Sequence, residues 1–164
     1  MTYIRAICMS VAVLALGLLP MEVTAQSPGD GLIVRKSDFG ATKTIDRLGI
    51  ALTRAGITVF ARLKHHEGAK KVGMDLRPTE LIVFGSPKLG TPLMQSNQAI
   101  GLDLPLRAVA WEDAAGTTYL AYTDPGALKA RYGIGDRDPV FEKMADALRK
   151  FTSMAATKGG LPKQ

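Results

Sequence analysis

The sequence predicts an α+β fold of the order β-α-β4-α, a two-layer sandwich in which helices cover a mostly antiparallel sheet. Two observations support this class. Five short segments between residues 32 and 123 are apolar or alternate between apolar and polar side chains, which is typical of strands. Two longer segments carry apolar residues at helical spacing, one after the first strand and one near the C-terminus. No internal repeat divides the chain, so we expect one domain.

The first half of this domain supplies a strand, a helix and a second strand. Residues 32–37 form the first apolar segment. The helix that follows has its apolar residues on one face: Ile45, Leu48 and Leu52. Gly56 ends it, because glycine adopts the left-handed backbone that often closes a helix. Residues 57–65 alternate and predict a strand with one face on a core. A polar break with room for one helical turn follows at 65–71.

The middle of the chain predicts a buried strand that delivers a loop and then a short helix. The apolar run is at 81–84, and Gly85-Ser-Pro87 stops it. Thr91 and Pro92 then fit the cap and first residue of a helix. Free N–H groups at such a helix start can hold an anion or a polar ligand. The alternative is a structural turn in which glycine and proline only set the backbone dihedrals.

The second half predicts a hairpin followed by two helices. Residues 105–113 and 117–123 form the hairpin, and 128–132 form a short helix. The last helix opens with Asp138 as its cap and Pro139 as its first residue. Its buried stripe follows helical spacing: Val140, Met144, Ala147, Leu148 and Phe151.

The first 25 residues have the pattern of a cleaved secretory signal peptide. Arg5 provides a basic start, residues 7–19 are largely apolar, and Val23-Thr24-Ala25 offers small residues for cleavage. The alternative is an uncleaved membrane anchor, but the run is short for a span of roughly 20 residues. We expect a periplasmic or secreted protein with no stable membrane anchor after cleavage. The chain then has four parts: a signal peptide at 1–25, a flexible leader at 26–31, a single domain at 32–152 and a flexible tail at 153–164.

Composition narrows the possible partners. The net charge is +6, and it does not change when the signal, with one arginine and one glutamate, is removed. The cations are scattered and the protein is predicted to be exported, so we expect no nucleic acid partner. Attraction to anionic lipid or cell-wall polymer stays open. The single cysteine, Cys8, lies in the signal, so the mature chain has no disulfide, thiolate nucleophile or covalent haem.

Three functional hypotheses stand beside a purely structural interpretation of the candidate residues. His65 with Glu80 could act as acid and base in a hydrolase or isomerase. His65 and His66 with Met94 could bind a metal, although adjacent histidines on a strand face opposite ways. The face that carries Trp111 with Arg107 and Val109 could serve an interaction module, form the wall of an apolar pocket, or simply pack in a core or dimer. We expect no cofactor, because no dinucleotide, phosphate-loop, zinc-protease or serine-hydrolase motif is present.

Several motifs occur in order along the chain: Phe60-Ala-Arg-Leu-Lys-His65, Ala69-Lys-Lys-Val-Gly73, Leu76-Arg-Pro-Thr-Glu-Leu81, Phe84-Gly-Ser-Pro-Lys-Leu-Gly-Thr-Pro-Leu-Met94 and Leu104-Pro-Leu-Arg-Ala-Val-Ala-Trp-Glu-Asp113. Together they closely resemble the bacterial family catalogued as domain of unknown function 302, over about residues 32–152. The resemblance implies a β-α-β4-α sandwich similar to the TATA-binding-protein-like fold, and a homodimer. It implies no established activity. The family commonly has Asp before the histidine that matches His65, whereas this chain has Lys64, so the resemblance does not extend to that pair.

The leading hypothesis is a non-enzymatic, exported, dimeric domain that binds a small molecule or anion at the 85–94 loop. The absence of a recognisable catalytic constellation favours binding over catalysis. The expected contacts come from the loop and from polar residues placed beside it: His65, Gly85, Lys88, Gly90, Thr91 and Arg107.

Overall fold

A computed structural model describes residues 31–161 and contains one antiparallel sheet of five strands in the order β1-β5-β4-β3-β2. The strands are β1 Leu32–Ser37, β2 Thr58–Lys64, β3 Thr79–Gly85, β4 Leu106–Glu112 and β5 Thr118–Thr123. All neighbouring strands run antiparallel. The predicted signal peptide and nearly all of the predicted leader lie outside the described residues. The five predicted strands and the α+β sandwich are confirmed.

The described residues also form five α-helices and one 3-10 helix: α1 Ala41–Arg54, α2 His65–Lys71, α3 Pro87–Ser96, the 3-10 helix Gln98–Leu102, α4 Pro125–Tyr132 and α5 Asp138–Ala156. The two long helices, α1 and α5, pack on the same face of the sheet. Their fully buried leucines meet alternate strand residues such as Ile82 and Leu120. The period of two along each strand therefore assigns one face to the helices.

Neither α1 nor α5 covers the other face of the sheet. The strand register places an apolar row across the middle of that face. Neighbouring partners in that row are Val34, Ala121, Val109, Leu81 and Leu63. Trp111 lies on the same face, as its alternation with Arg107 and Val109 predicts, and its ring stacks on Tyr119 with centroids 5.5 Å apart. We call this surface the open sheet face.

A second apolar cluster extends the sandwich beyond one end of the sheet. It joins α3, the 3-10 helix, α4 and α5, and its buried members are Leu93, Ile100, Leu128, Ile134, Phe141 and Met144. Asp103 fixes this extension to the sheet. Its carboxylate accepts hydrogen bonds from Arg107 (2.8 Å), Arg131 (2.7 Å) and the Tyr132 hydroxyl (2.7 Å). The bond from Tyr132 is the main cause that lowers the pKa of Asp103, against an opposing effect of burial.

Three helix boundaries differ from the sequence prediction. Helix α3 begins at Pro87, one turn before the expected start at Thr91, so Pro92 lies inside the helix. Helix α4 begins at Pro125 because the Asp124 side chain accepts from the Gly126 N–H over 3.1 Å and caps it. Asp138 is the first helical residue of α5, not its cap.

The prediction of a flexible tail from residue 153 is wrong for residues 153–156. Helix α5 continues to Ala156, and Ala155 and Ala156 are buried in the main core. Arg47 of α1 donates 2.8 Å hydrogen bonds to the carbonyls of Met154 and Ala155. Since these contacts satisfy the carbonyls that a helix end leaves unpaired, the last turn is anchored to α1.

Candidate functional site

A cavity of about 410 Å³ opens where β3 ends and α3 begins. This volume lies within the range of roughly 300–1,000 Å³ for small-molecule sites. Its inner wall, which we call the floor, consists of buried side chains: Leu52, Phe84, Met144 and Leu148. Its outer rim, which we call the mouth, consists of exposed residues: Phe60, Pro87, Thr91 and Pro105. The floor belongs to α1, β3 and α5, whereas the mouth lies on loops, α3 and the edge strand β2.

The chemistry of the lining is almost entirely apolar. Among residues 31–161, Ser86 and Thr91 are the only lining residues with polar side chains, and no charged side chain lines the cavity. Three phenylalanines and two methionines contribute, and methionine side chains adapt well to ligands of different shape. An apolar cavity of this kind favours an apolar ligand, because burial of a charge without a partner is costly.

Local sequence explains why the cavity stays open. The pairing of β2 with β3 shifts register between Val59 and Ala61, and this irregularity leaves the intervening Phe60 at the mouth with 54% of its surface exposed. Gly85 has no side chain at the point where β3 meets the mouth. A Cβ atom there would lie 3.4 Å from Pro105 Cβ and 3.6 Å from Phe60 Cε2. Glycine at this position therefore preserves the entrance width.

Helix α3 forms one wall of the cavity, and its own composition is unfavourable for a helix. Gly90 and Pro92 both lie inside it, although such residues cost about 1 and 3 kcal/mol relative to alanine in a helix interior. Tertiary packing compensates, since Leu93 is fully buried in the second cluster. At Gly90 a Cβ would contact Leu104 Cδ1 at 3.6 Å, so its absence enlarges the cavity.

The predicted ligand residues divide between the cavity and other places. Gly85, Gly90 and Thr91 line the cavity, as expected for a site at the 85–94 loop. Lys88 is exposed on α3 but is not part of the lining. Arg107 is exposed and forms an ion pair with Asp103. Three of the six predicted contact residues thus line the cavity, whereas Lys88, Arg107 and His65 lie outside it.

The sequence predicts that free main-chain N–H groups of this loop can hold an anion. The geometry of the loop contradicts this prediction. The N–H groups of Leu89 and Gly90 both donate to the Ser86 carbonyl at 3.0 Å, because the segment is already helical. Pro87 has no N–H. The hollow exists, but its wall is made of side-chain carbon rather than free amides.

His65 lies at the opposite end of the sheet. The β2–β3 register pairs Thr58 with Gly85 at the cavity end and Lys64 with Glu80 at the other end. Six residue steps of a strand separate these ends by roughly 20 Å. His65 begins α2 beyond Lys64 and is exposed. The prediction that His65 lies beside the 85–94 loop is therefore wrong.

The acid–base pair of His65 with Glu80 does not form. Glu80 is fully buried on the helix face of β3, and its Oε1 atom accepts from Arg62 Nε over 2.9 Å. Arg62 also pairs with Asp46 Oδ1 on α1 at 2.8 Å. Partial burial works to lower the pKa of Arg62, but the hydrogen bonds to Asp46 and Glu80 outweigh it and raise that pKa. Glu80 Oε2 is buried without a partner among the described residues.

The three metal candidates are not brought together either. His66 Nδ1 lies 3.0 Å from the Thr79 carbonyl oxygen and 3.2 Å from the Thr79 nitrogen, so this histidine contacts the start of β3. Met94 lines the cavity at the other end of the sheet. Within residues 31–161, no group of three or more His, Cys, Asp or Glu side chains is placed to hold a metal ion.

Residues from distant parts of the chain build most of the cavity, and sequence reasoning missed them. Leu52, Phe84 and Met144 come from three elements and read in sequence as ordinary core positions. Phe60 offered a weak signal, because it falls on the polar face of an alternating strand. A phenylalanine on that face is a candidate for a mouth or an interface.

The fold and the cavity define a small two-layer α+β domain with an apolar internal site. The chain belongs to the family described as Domain of unknown function DUF302, whose model matches residues 33–151. A DUF302 protein of uncharacterised function from Bacillus stearothermophilus has a crystal structure that matches with a TM-score of 0.69 at 19% sequence identity, over 77% of this chain and 98% of that one. This likeness supports the fold alone.

Curated relatives are similar over part of their length. A protein named fluoride-specific ion channel FluC 1 from Brucella suis is 42% identical over 127 residues, which cover 77% of this chain and 50% of that protein. The protein of the same name from Brucella abortus is also 42% identical, over 47% of its length. The chain thus spans about half the length of these relatives. Among residues 31–161, we find no helix that is both long and apolar enough to cross a membrane.

Proposed function

We propose that this domain binds a small apolar molecule in the cavity between β3, α3 and α5. The observation that carries the proposal is the lining: a volume of about 410 Å³ with a buried apolar floor, an exposed mouth and no charged side chain. Each Å² of apolar ligand surface removed from water contributes roughly 25 cal/mol. The predicted signal peptide would place this binding in the periplasm or outside the cell.

The lining supports binding rather than catalysis. A hydroxyl group needs a neighbouring base to become a nucleophile, and Ser86 and Thr91 have no histidine or carboxylate beside them in the lining. The fluoride named for the Brucella relatives also does not suit this cavity, because a small anion needs charged or hydrogen-bonding partners. This chain covers only about half of the length of these relatives.

Toluene is expected to stabilise the purified protein against thermal unfolding. At a free concentration one hundred times the Kd, a ligand that binds only the folded state adds about 2.7 kcal/mol to the free energy of unfolding. Calorimetric scans with increasing toluene measure this effect. Ala147 of α5 lines the cavity, so Ala147→Phe should fill it and abolish the shift.

Ala130→Phe provides the matched control, because Ala130 is exposed on α4 away from the lining. This variant should keep the full toluene effect. An unchanged Tm at every toluene concentration, or equal shifts in wild type and Ala147→Phe, would contradict binding in the cavity.

A second candidate function is homodimerisation through the open sheet face. The apolar row crosses all five strands, and Leu32, Val34 and Leu63 expose 36–44% of their surface on or beside it. These exposed residues lie on the two edge strands, β1 and β2, while Ala121 between them is buried, so the row offers apolar contact area at both edges of the sheet. Sedimentation equilibrium tests this proposal: a dimeric mass that Leu63→Glu reduces to a monomer supports it, and a monomeric wild-type protein rejects it.

A further inference from the structure

We propose that the ligand of this cavity is a single-chain amphipath whose hydrocarbon tail fills the cavity and whose anionic head group stays at the mouth beside Lys88. This inference rests on the proposed binding of an apolar molecule and names the class of that molecule. It depends on three features: the increase in polarity from the floor to the mouth, the position of Lys88 on α3, and the ion pairs formed by the other charged residues nearby.

Polarity increases from the floor to the mouth of the cavity. The floor residues Leu52 and Leu148 are at most 2% exposed and offer no hydrogen-bonding side-chain atom. The two lining hydroxyls belong to Ser86 and Thr91, and Thr91 is exposed at the mouth. A ligand with one apolar and one polar end would therefore place its apolar end inward, since a polar end at the floor would lose its hydration without compensation.

Lys88 is the cation placed to meet such a polar end. It precedes Thr91 by three residues on α3, and side chains three apart lie on the same side of a helix. Its chain neighbours Pro87 and Leu89 both line the cavity. Lys88 itself is exposed, so its ammonium group can reach a head group at the mouth without entering the apolar space.

The surrounding charges leave Lys88 available and add no competing anion. Among the ion pairs of the described residues, none includes Lys88. Arg107 follows Pro105 of the mouth by two residues, but it is paired with Asp103 at 2.8 Å. No aspartate or glutamate lines the cavity. The electrostatic environment of the mouth therefore favours a negative head group over a neutral or positive one.

Octanoate and 1-heptanol are the probes that separate the two parts of this proposal, because they share a seven-carbon tail and differ in head-group charge. Isothermal titration calorimetry should show that both bind and that octanoate binds roughly two- to fivefold more tightly, the range of an exposed ion pair. The preference should decline as salt is raised, because exposed charges are screened within about 8–10 Å at moderate ionic strength.

Charge reversal at Lys88 gives the decisive comparison. Lys88→Glu should abolish or invert the preference for octanoate and leave the affinity for 1-heptanol unchanged, whereas Lys88→Arg should retain the preference. Lys71→Glu makes the same charge change on α2, at the other end of the sheet, and should behave like wild type.

The binding results show separately whether the apolar site or the anionic head group at Lys88 is wrong. Equal affinities for octanoate and 1-heptanol, or a preference that survives Lys88→Glu, would overturn the anionic head group at Lys88 while the apolar site remains. Binding of neither probe, together with no effect of toluene, would overturn the site itself.

Discussion

Replacement of Arg62 by methionine is expected to lower the free energy of unfolding by about 3–5 kcal/mol, because it leaves the buried Glu80 carboxylate without its partner. Glu80 is fully buried, and Arg62 supplies both of the hydrogen bonds that its carboxylate accepts. Without the guanidinium, the carboxylate remains in the interior with no compensating donor. Urea denaturation at pH 7 measures the loss.

The double variant Arg62→Met with Glu80→Leu tests the cause of that loss. Removal of both charged groups should recover most of the stability, because a buried ion pair contributes little when apolar side chains of similar size replace it. Asp46→Asn serves as the control for the third member of the network. Asp46 is half exposed, so its loss should cost at most about 1 kcal/mol. A double variant as unstable as Arg62→Met would contradict the role assigned to Glu80.

Replacement of Leu52 by alanine is expected to cost about 2–5 kcal/mol, the range for such truncations in a packed core. Leu52 is fully buried, belongs to the main core and lines the cavity. Chemical denaturation of wild type and variant measures the difference.

Leu63→Ala is the matched control for this truncation. Leu63 lies on β2 with 44% of its surface exposed, so the same deletion removes far less buried area. We expect a loss below about 1 kcal/mol there. Similar losses at Leu52 and Leu63 would show that the cavity wall is not part of the packed interior.

Local patterns predict the sheet well because strand alternation is a property of neighbouring residues. The face shared by Trp111, Val109 and Arg107 follows from a period of two, and the structure places them so. The buried stripe of α5 follows in the same way from helical spacing, with Met144 and Leu148 buried as expected. Regular elements with a clear period are therefore the predictable part of this fold.

Helix α3 was harder to predict because its local and tertiary preferences conflict. Proline and glycine at positions 87, 90 and 92 favour a loop when residues are considered alone. The burial of Leu93 in the second cluster favours the helix nonetheless. Helix propensity is a weak preference that packing often overrides, and this segment is one such case.

The candidate site was predictable in position but not in character. The end of an apolar strand at Gly85 indicates where a hollow can form, and Gly85 and Gly90 both line it. Whether the hollow is polar or apolar depends on Leu52, Met144 and Leu148, which are brought to it only by the packing of α1 and α5. Contacts between residues so far apart leave no local pattern in the sequence.

NMR of the methionine ε-methyl groups tests the cavity most directly, because the chain contains its own reference signal. Met94 and Met144 line the cavity, whereas Met74 is 65% exposed and is not part of the lining. During a toluene titration, the Met94 and Met144 resonances should shift together, saturate with one Kd and show contacts to the ring protons, while Met74 stays unchanged. Shifts at Met74 of equal size, or no saturable shift at Met94 and Met144, would contradict an apolar binding site at this position.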